Sequence, residues 1–261
     1  MKYLHFRSIL AAFLVLATFG LATAADATHR WGSYHWARTA NPFTLKLGDN
    51  LTAAWDSYLV TTSNDWSQSS ILDTAIVPGG SLSARRCRAT TGRAEICNYR
   101  YGNNGWLGVA QIWVTGDHIT KGTVKVNDTY FSTSTYNTPA WRNLVLCQEV
   151  GHIFGLDHQD ESFSNPPLGT CMDYSNDPNP NQHPNQHDYD MLEEVYAHLD
   201  STTTVGLSAP SRFANFNVNL DLDNPAEWGR VVKRSVDGRI SLYVREFGFG
   251  RKVFTHVFWL E

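Results

Sequence analysis

Gln148-Glu149-Val150-Gly151-His152-Ile153-Phe154-Gly155-Leu156-Asp157-His158 is the stretch from which the rest of the chain can be read. Just upstream, Thr138 is a cap residue followed by proline at the first helical position. Trp141, Val145, Gln148 and His152 then recur at intervals of four, three and four, one stripe of an α-helix. The spacing predicts a helix over 139–154 that stops near Gly155, which can take the left-handed conformation of a helix end. Gln148 and His152 share a helix face and can converge on one ion, while Glu149 can reach a water at that ion. Past Gly155 the chain turns back, which lets His158 approach the same point from outside the helix. Two imidazoles suit Zn²⁺, and an open position would hold water. Such a site can polarise a peptide carbonyl and activate water near neutral pH, with the adjacent carboxylate as general base.

This segment resembles the metzincin peptidases, whose signature is His-Glu-x-x-His-x-x-Gly-x-x-His followed by a methionine turn. Glu149, His152, Gly155 and His158 stand in register with it, and Cys171-Met172-Asp173-Tyr174 looks like the turn. The resemblance covers about 140–175 and the remainder only by general layout. It implies an α+β fold, a twisted sheet with an active-site helix and a C-terminal helix, and one catalytic Zn²⁺ held by Gln148, His152 and His158. Met172 would lie beneath the metal. Glu149 would take a proton from the attacking water and pass it to the leaving amine, and Tyr174 would help hold the oxyanion. Substrate would lie along an edge strand, for which Trp106 to Val114 is the candidate. The chain departs from the family at the first ligand, where Gln148 replaces histidine. A neutral amide oxygen donates less to Zn²⁺ than imidazole, which lowers affinity but leaves the ion a stronger Lewis acid.

Residues 1–24 read as a cleaved export signal. Lys2 and Arg7 precede the apolar run Ile9 to Leu21, which ends in Ala22-Thr23-Ala24. Removing it takes two of the 21 basic residues and none of the 25 acidic ones, so the net charge moves from −4 to −6. That balance argues against nucleic-acid or anionic-membrane partners. The expectation is a secreted, extracellular monomer that acts on protein or peptide substrates. Cys87, Cys97, Cys147 and Cys171 are an even set in an exported chain and allow three pairings. The favoured one is Cys87–Cys97, closing a short turn, with Cys147–Cys171. Asn50 and Asn127 begin glycosylation sequons.

Residues 43–60 and 70–77 read as strands and turns, 88–93 as a hairpin tip, and 106–114 and 123–126 as strands. Residues 160–186 are a polar loop. Asp188 to Leu199 carries Met191, Leu192, Val195, Tyr196 and Leu199 at helical spacing. The expected division is a signal at 1–24, a catalytic domain at 25–206 and a small β-rich extension at 207–261, reached through the polar linker 201–204. Strand-like runs at 230–233, 240–245 and 253–260 fall in that extension.

Two other functions compete with a peptidase. One is a catalytically inactive binding protein on the same fold, with Gln148 marking a lost metal site; retention of Glu149 favours the enzyme. The other is a glycan- or matrix-binding role for the extension through Trp228, Phe247, Phe249 and Trp259, although spread aromatics are more often core. His183 or His187 can in principle replace the missing imidazole, but their place in a polar loop before the last helix reads as that of surface or capping residues. Asp157 and Asp160 can orient the ring of His158. His29, His35 and His118 receive no role. No blocking cysteine stands between Ala25 and the first strands, so any latency must work by other means.

Overall fold

The computed structural model describes residues 28–207 and 223–260, so the expected export signal lies outside the described residues. The fold is α+β, with a twisted mixed sheet of nine strands and four α-helices among those residues. β1 (His35–Trp36) pairs with the start of β6 (His118–Asn127). β2 (Phe43–Asn50), β3 (Leu72–Pro78), β4 (Ala94–Tyr99) and β6 run parallel, and β5 (Trp106–Thr115) lies antiparallel to β6.

Beyond β5 the sheet continues through the C-terminal segment. β9 (Arg251–Trp259) pairs antiparallel with β5 along its length, followed by β8 (Ile240–Glu246) and β7 (Arg230–Arg234). The expectation that Trp106 to Val114 is an open edge therefore fails: β5 is an interior strand. Its burial on both faces, unbroken from Trp106 to Val114, is the pattern of a strand covered on each side and flanked by neighbours. The C-terminal extension is accordingly continuous with the main sheet, and Leu242, Val244, Phe254 and Phe258 belong to the main core.

The helices of the first half were hidden by composition. α1 (Asp56–Trp66) overlaps the end of the stretch 43–60 read as strands and turns and runs on past it. Its buried stripe is Leu59, Thr62, Ser63 and Trp66, so half of the helical period is written in polar residues and escapes a count of apolar ones. α2 (Asp128–Phe131) is a single turn capped by Asn127. Asn127 is fully buried there, which removes it as a glycan acceptor in the folded chain. Residues 88–93 are a loop leading into β4 rather than a hairpin tip, because β4 has only parallel partners.

α3 (Pro139–Ile153) begins at Thr138, whose hydroxyl accepts from the Trp141 amide, and packs between α1 and the strands β5 and β6. α4 (Gln186–Val195) starts at an Asn185–Asp188 capping box and ends four residues earlier than the apolar spacing predicts. The segment 201–204 is no free linker. Thr204 is buried and exchanges hydrogen bonds with Ala37, its amide to the carbonyl at 2.8 Å and its hydroxyl from the amide at 3.0 Å. Both favoured disulfides, Cys87–Cys97 and Cys147–Cys171, are formed. No helix among the described residues is long and apolar enough to cross a membrane.

Candidate metal centre

The end of α3 delivers the site, and three side chains from distant segments fix that end. A helix leaves its last carbonyls without intrahelical partners. Here the Trp31 indole donates to the His152 carbonyl at 3.2 Å, the Trp36 indole to Ile153 at 2.9 Å and the Tyr196 hydroxyl to Phe154 at 2.9 Å. Gly155 then breaks the helix with φ +101, and a Cβ at this position would stand 2.6 Å from the Tyr34 carbonyl. Residues 29–31 pair with the turn that follows, the His29 carbonyl accepting from the Asp157 amide at 2.6 Å. His158 is thereby returned toward the helix, with its ring centroid 4.6 Å from that of His152.

Both imidazoles are set in the same sense. His152 Nδ1 lies 2.8 Å from the Leu156 carbonyl, and His158 Nδ1 lies 2.7 Å from a carboxylate oxygen of Glu161. Each Nδ1 facing an acceptor carries the proton, which leaves Nε2 as the lone-pair atom, the usual arrangement of a metal-binding histidine. Burial, and then the neighbouring His158, holds His152 well below the ordinary histidine range and thus neutral.

Gln148 is oriented by the turn at Cys171. Its Nε2 donates to the Cys171 carbonyl at 2.8 Å, so Oε1 is the free acceptor, buried and without a hydrogen-bond partner. The reverse orientation would set oxygen against oxygen. Cys147–Cys171 bonds the residue before Gln148 to the residue before Met172. Met172 packs at Gly151, where an added Cβ would collide with its sulfur and lie 2.8 Å from Trp66.

Glu149 is buried between α3 and β5 at Gly108, where a Cβ would stand 2.5 Å from its carboxylate. Burial pushes its carboxyl well above the ordinary glutamate range. The backbone amides of Ala110 and Phe258 pull the other way, although neither carboxylate oxygen has a hydrogen bond of normal geometry.

One expectation needs correction. Asp160 does not orient His158: its carboxylate accepts from the Ser162 amide at 2.6 Å, and Glu161 is the residue that holds the ring. Asp157 accepts from the backbone amide of His158 at 2.9 Å and lies 3.5 Å from the ring nitrogen. His183 and His187 do not replace the missing imidazole either; His183 meets Asp65 at 2.7 Å and His187 stacks on His29 at 4.7 Å.

The imidazole that does enter the site comes from β9. His256 is fully buried, stacks on His152 with centroids 4.1 Å apart, and has no hydrogen-bond partner at either nitrogen. Its centroid is 6.4 Å from that of His158. A lone histidine in an apolar strand, about a hundred residues from the motif, carries no sequence signal for such a place. The same segment engages the rest of the site. The Tyr174 hydroxyl donates to the Val257 carbonyl at 3.0 Å, and Lys233 of β7 meets Asp157 at 2.9 Å and Glu161 at 3.2 Å. Burial pushes both carboxyls up, but His158 and Lys233 outweigh it, leaving Asp157 below its ordinary range and Glu161 down at about 2. Of the aromatics considered for glycan binding, Trp228 is buried and Phe249 is 94% exposed.

The donor set fits a zinc-like ion. Gln148 Oε1, His158 Nε2 and both oxygens of Glu149 are buried without hydrogen-bond partners; a cation between the two imidazoles would satisfy His158 Nε2, and Gln148 lies one helical turn before His152 on the same face of α3. Among the described residues, two further groupings of potential ligands occur, Asp157–His158–Glu161 beside the site and His35–His198–Asp200 away from it. No protein-family model matches the chain. No curated protein matches it by sequence.

Proposed function

We propose that the chain is a secreted metal-dependent endopeptidase of the metzincin type, held closed by its own C-terminal hairpin. The observation that carries the reading is the paired setting of His152 and His158, each with Nδ1 committed and Nε2 free, beside an orphaned Gln148 oxygen and a buried Glu149. Zinc bound there would supply Lewis acidity toward a scissile carbonyl and the water that attacks it. Glu149 is the base, its proton affinity raised by burial. Tyr174 stays a neutral donor, since burial raises its hydroxyl well above the ordinary tyrosine range. The two disulfides are consistent with an extracellular destination.

β9 stands where an extended peptide would add to β5 by strand pairing. Its Val257 carbonyl accepts from the hydroxyl of Tyr174, the residue expected to assist a reacting carbonyl. The closed arrangement therefore resembles an occupied groove, which accounts for a buried catalytic glutamate. One observation favours a second reading: because β5 is covered along its length, a non-catalytic protein with a permanently completed sheet would look the same.

Casein hydrolysis and zinc content, measured on the full chain, separate the two. The Lys233→Ala/His256→Ala double variant should hydrolyse casein at least tenfold faster than wild type, and adding Glu149→Ala should abolish it. Zinc-loaded protein with no hydrolysis in any variant would sink the enzyme and leave the binding protein.

A further inference from the structure

The strongest feature outside the candidate centre is a cluster of three histidines around one carboxylate oxygen, at the junction of β1, β6 and the chain leaving α4. His35 and His118 are direct partners across the β1–β6 pairing, so their side chains leave the sheet side by side. Asp200 is brought to them by hydrogen bonds to Arg38, two residues past β1: its amide donates to the Arg38 carbonyl at 2.9 Å, and its Oδ2 accepts from the Arg38 amide at 3.1 Å and guanidinium at 3.2 Å. Oδ2 is thus committed, and Oδ1 faces the imidazoles. His118 Nε2 lies 3.1 Å from it, His35 Nε2 3.4 Å and His198 Nε2 3.9 Å.

Proton placement decides what this cluster is for. His35 Nδ1 sits 2.7 Å from the Ser33 carbonyl, so that nitrogen carries a proton. In the neutral imidazole, His35 Nε2 is then a lone pair, yet it faces the Asp200 oxygen and also His198 Nε2, 3.1 Å away. A carboxylate oxygen and two imidazole nitrogens meeting at these distances are three acceptors with at most one proton between them unless a ring is charged. A cation at their centre satisfies all three at once. Tetrahedral zinc with bonds of about 2.0–2.1 Å sets its ligands about 3.4 Å apart. The three separations here, 3.1, 3.4 and 3.9 Å, bracket that value.

We infer that His35, His198 and Asp200 form a second metal site, for Zn²⁺ or another imidazole-seeking divalent transition metal. His118 and Arg38 hold the carboxylate in place, as outer partners of metal ligands commonly do. His35 and Asp200 are nearly buried while His198 is about half exposed, so the ion reaches the site from solvent and keeps a water on its open face. Its structural effect is to pin the N-terminal strand to the segment that leads out of α4 toward the C-terminal hairpin. The inference is independent of the centre at His152 and His158 and stands whether or not the chain hydrolyses peptides.

The test uses the full chain, stripped with chelator and titrated with Zn²⁺, with bound metal counted by elemental analysis and thermal unfolding followed in parallel. His198→Ala is the first variant, because a half-exposed side chain can be removed without unfolding the protein, and Asp200→Asn is the second. The expected result is one fewer zinc per chain in His198→Ala than in wild type, with loss of the zinc-induced rise in Tm. Asp200→Asn should weaken zinc binding at least tenfold. Unchanged zinc stoichiometry and an unchanged zinc response in His198→Ala would overturn the site.

Discussion

Replacing His256 by phenylalanine should stabilise the metal-free protein, which is the opposite of what substitution in a packed core usually does. His256 is fully buried against His152 and Trp31, and neither ring nitrogen has a hydrogen-bond partner. Each unsatisfied buried polar atom costs about 1–3 kcal/mol. A phenyl ring keeps the stacking and removes both atoms, so the gross gain is about 2–6 kcal/mol. The slightly larger ring strains its pocket by about 1–3 kcal/mol. A net stabilisation of about 2 kcal/mol remains. Urea unfolding in the presence of chelator reads it directly: with a slope of about 3 kcal/mol per molar, the midpoint should rise by roughly 0.7 M. Zinc should narrow or reverse the difference, since only wild type offers a further imidazole near the ion. A midpoint in chelator below that of wild type would mean that the nitrogens of His256 are satisfied and that the ring carries no such cost.

Lys233→Ala removes the contacts to Asp157 and Glu161. Lys233 is about a third exposed, so screening limits the loss to about 1 kcal/mol, but hydrogen exchange across β7 and β8 should accelerate. The two acids have folded pKa values below their ordinary ones, so they contribute stability above pH 4.5 that is lost as pH falls toward about 2; the variant should flatten that acid limb. Glu149 has the opposite sign. Its folded pKa is raised, so its own contribution to stability, present below its ordinary value of 4.5, is lost as pH climbs; in chelator, urea titrations between pH 5 and 8 should show Glu149→Gln losing less stability with rising pH, or gaining more, than wild type. Opening Cys147–Cys171 by double alanine substitution, with its separation of 24 residues, should cost about 3.5 kcal/mol in thermal unfolding. It should also weaken zinc binding by freeing the turn whose Cys171 carbonyl holds Gln148.

What could be read in the sequence was what local spacing encodes. Thr138, Pro139 and Gly155 mark the ends of α3 within a residue or two, and the spacing of His152 and His158 placed those two rings together because one turn connects them. The cysteine pairings followed for the same reason, each joining segments already adjacent to a predicted element. α1 escaped because Thr62 and Ser63 occupy half of its buried stripe. The cover on β5 escaped because strand partners are chosen over the whole chain: nothing in Trp106 to Val114 says that Arg251 to Trp259 will pair with it. His256, Glu161 and Lys233 reach the site only through that pairing or through a loop. His35 and His118, assigned no role from sequence, become neighbours only once β1 and β6 align.

The most direct test of the centre at α3 is zinc content by elemental analysis on purified full chain carrying His198→Ala, so that the second cluster does not contribute, compared with His198→Ala/His158→Ala. The account predicts about one zinc per chain in the first protein and none in the second. Zinc absent from both, in protein that is folded and offered the metal, would contradict it.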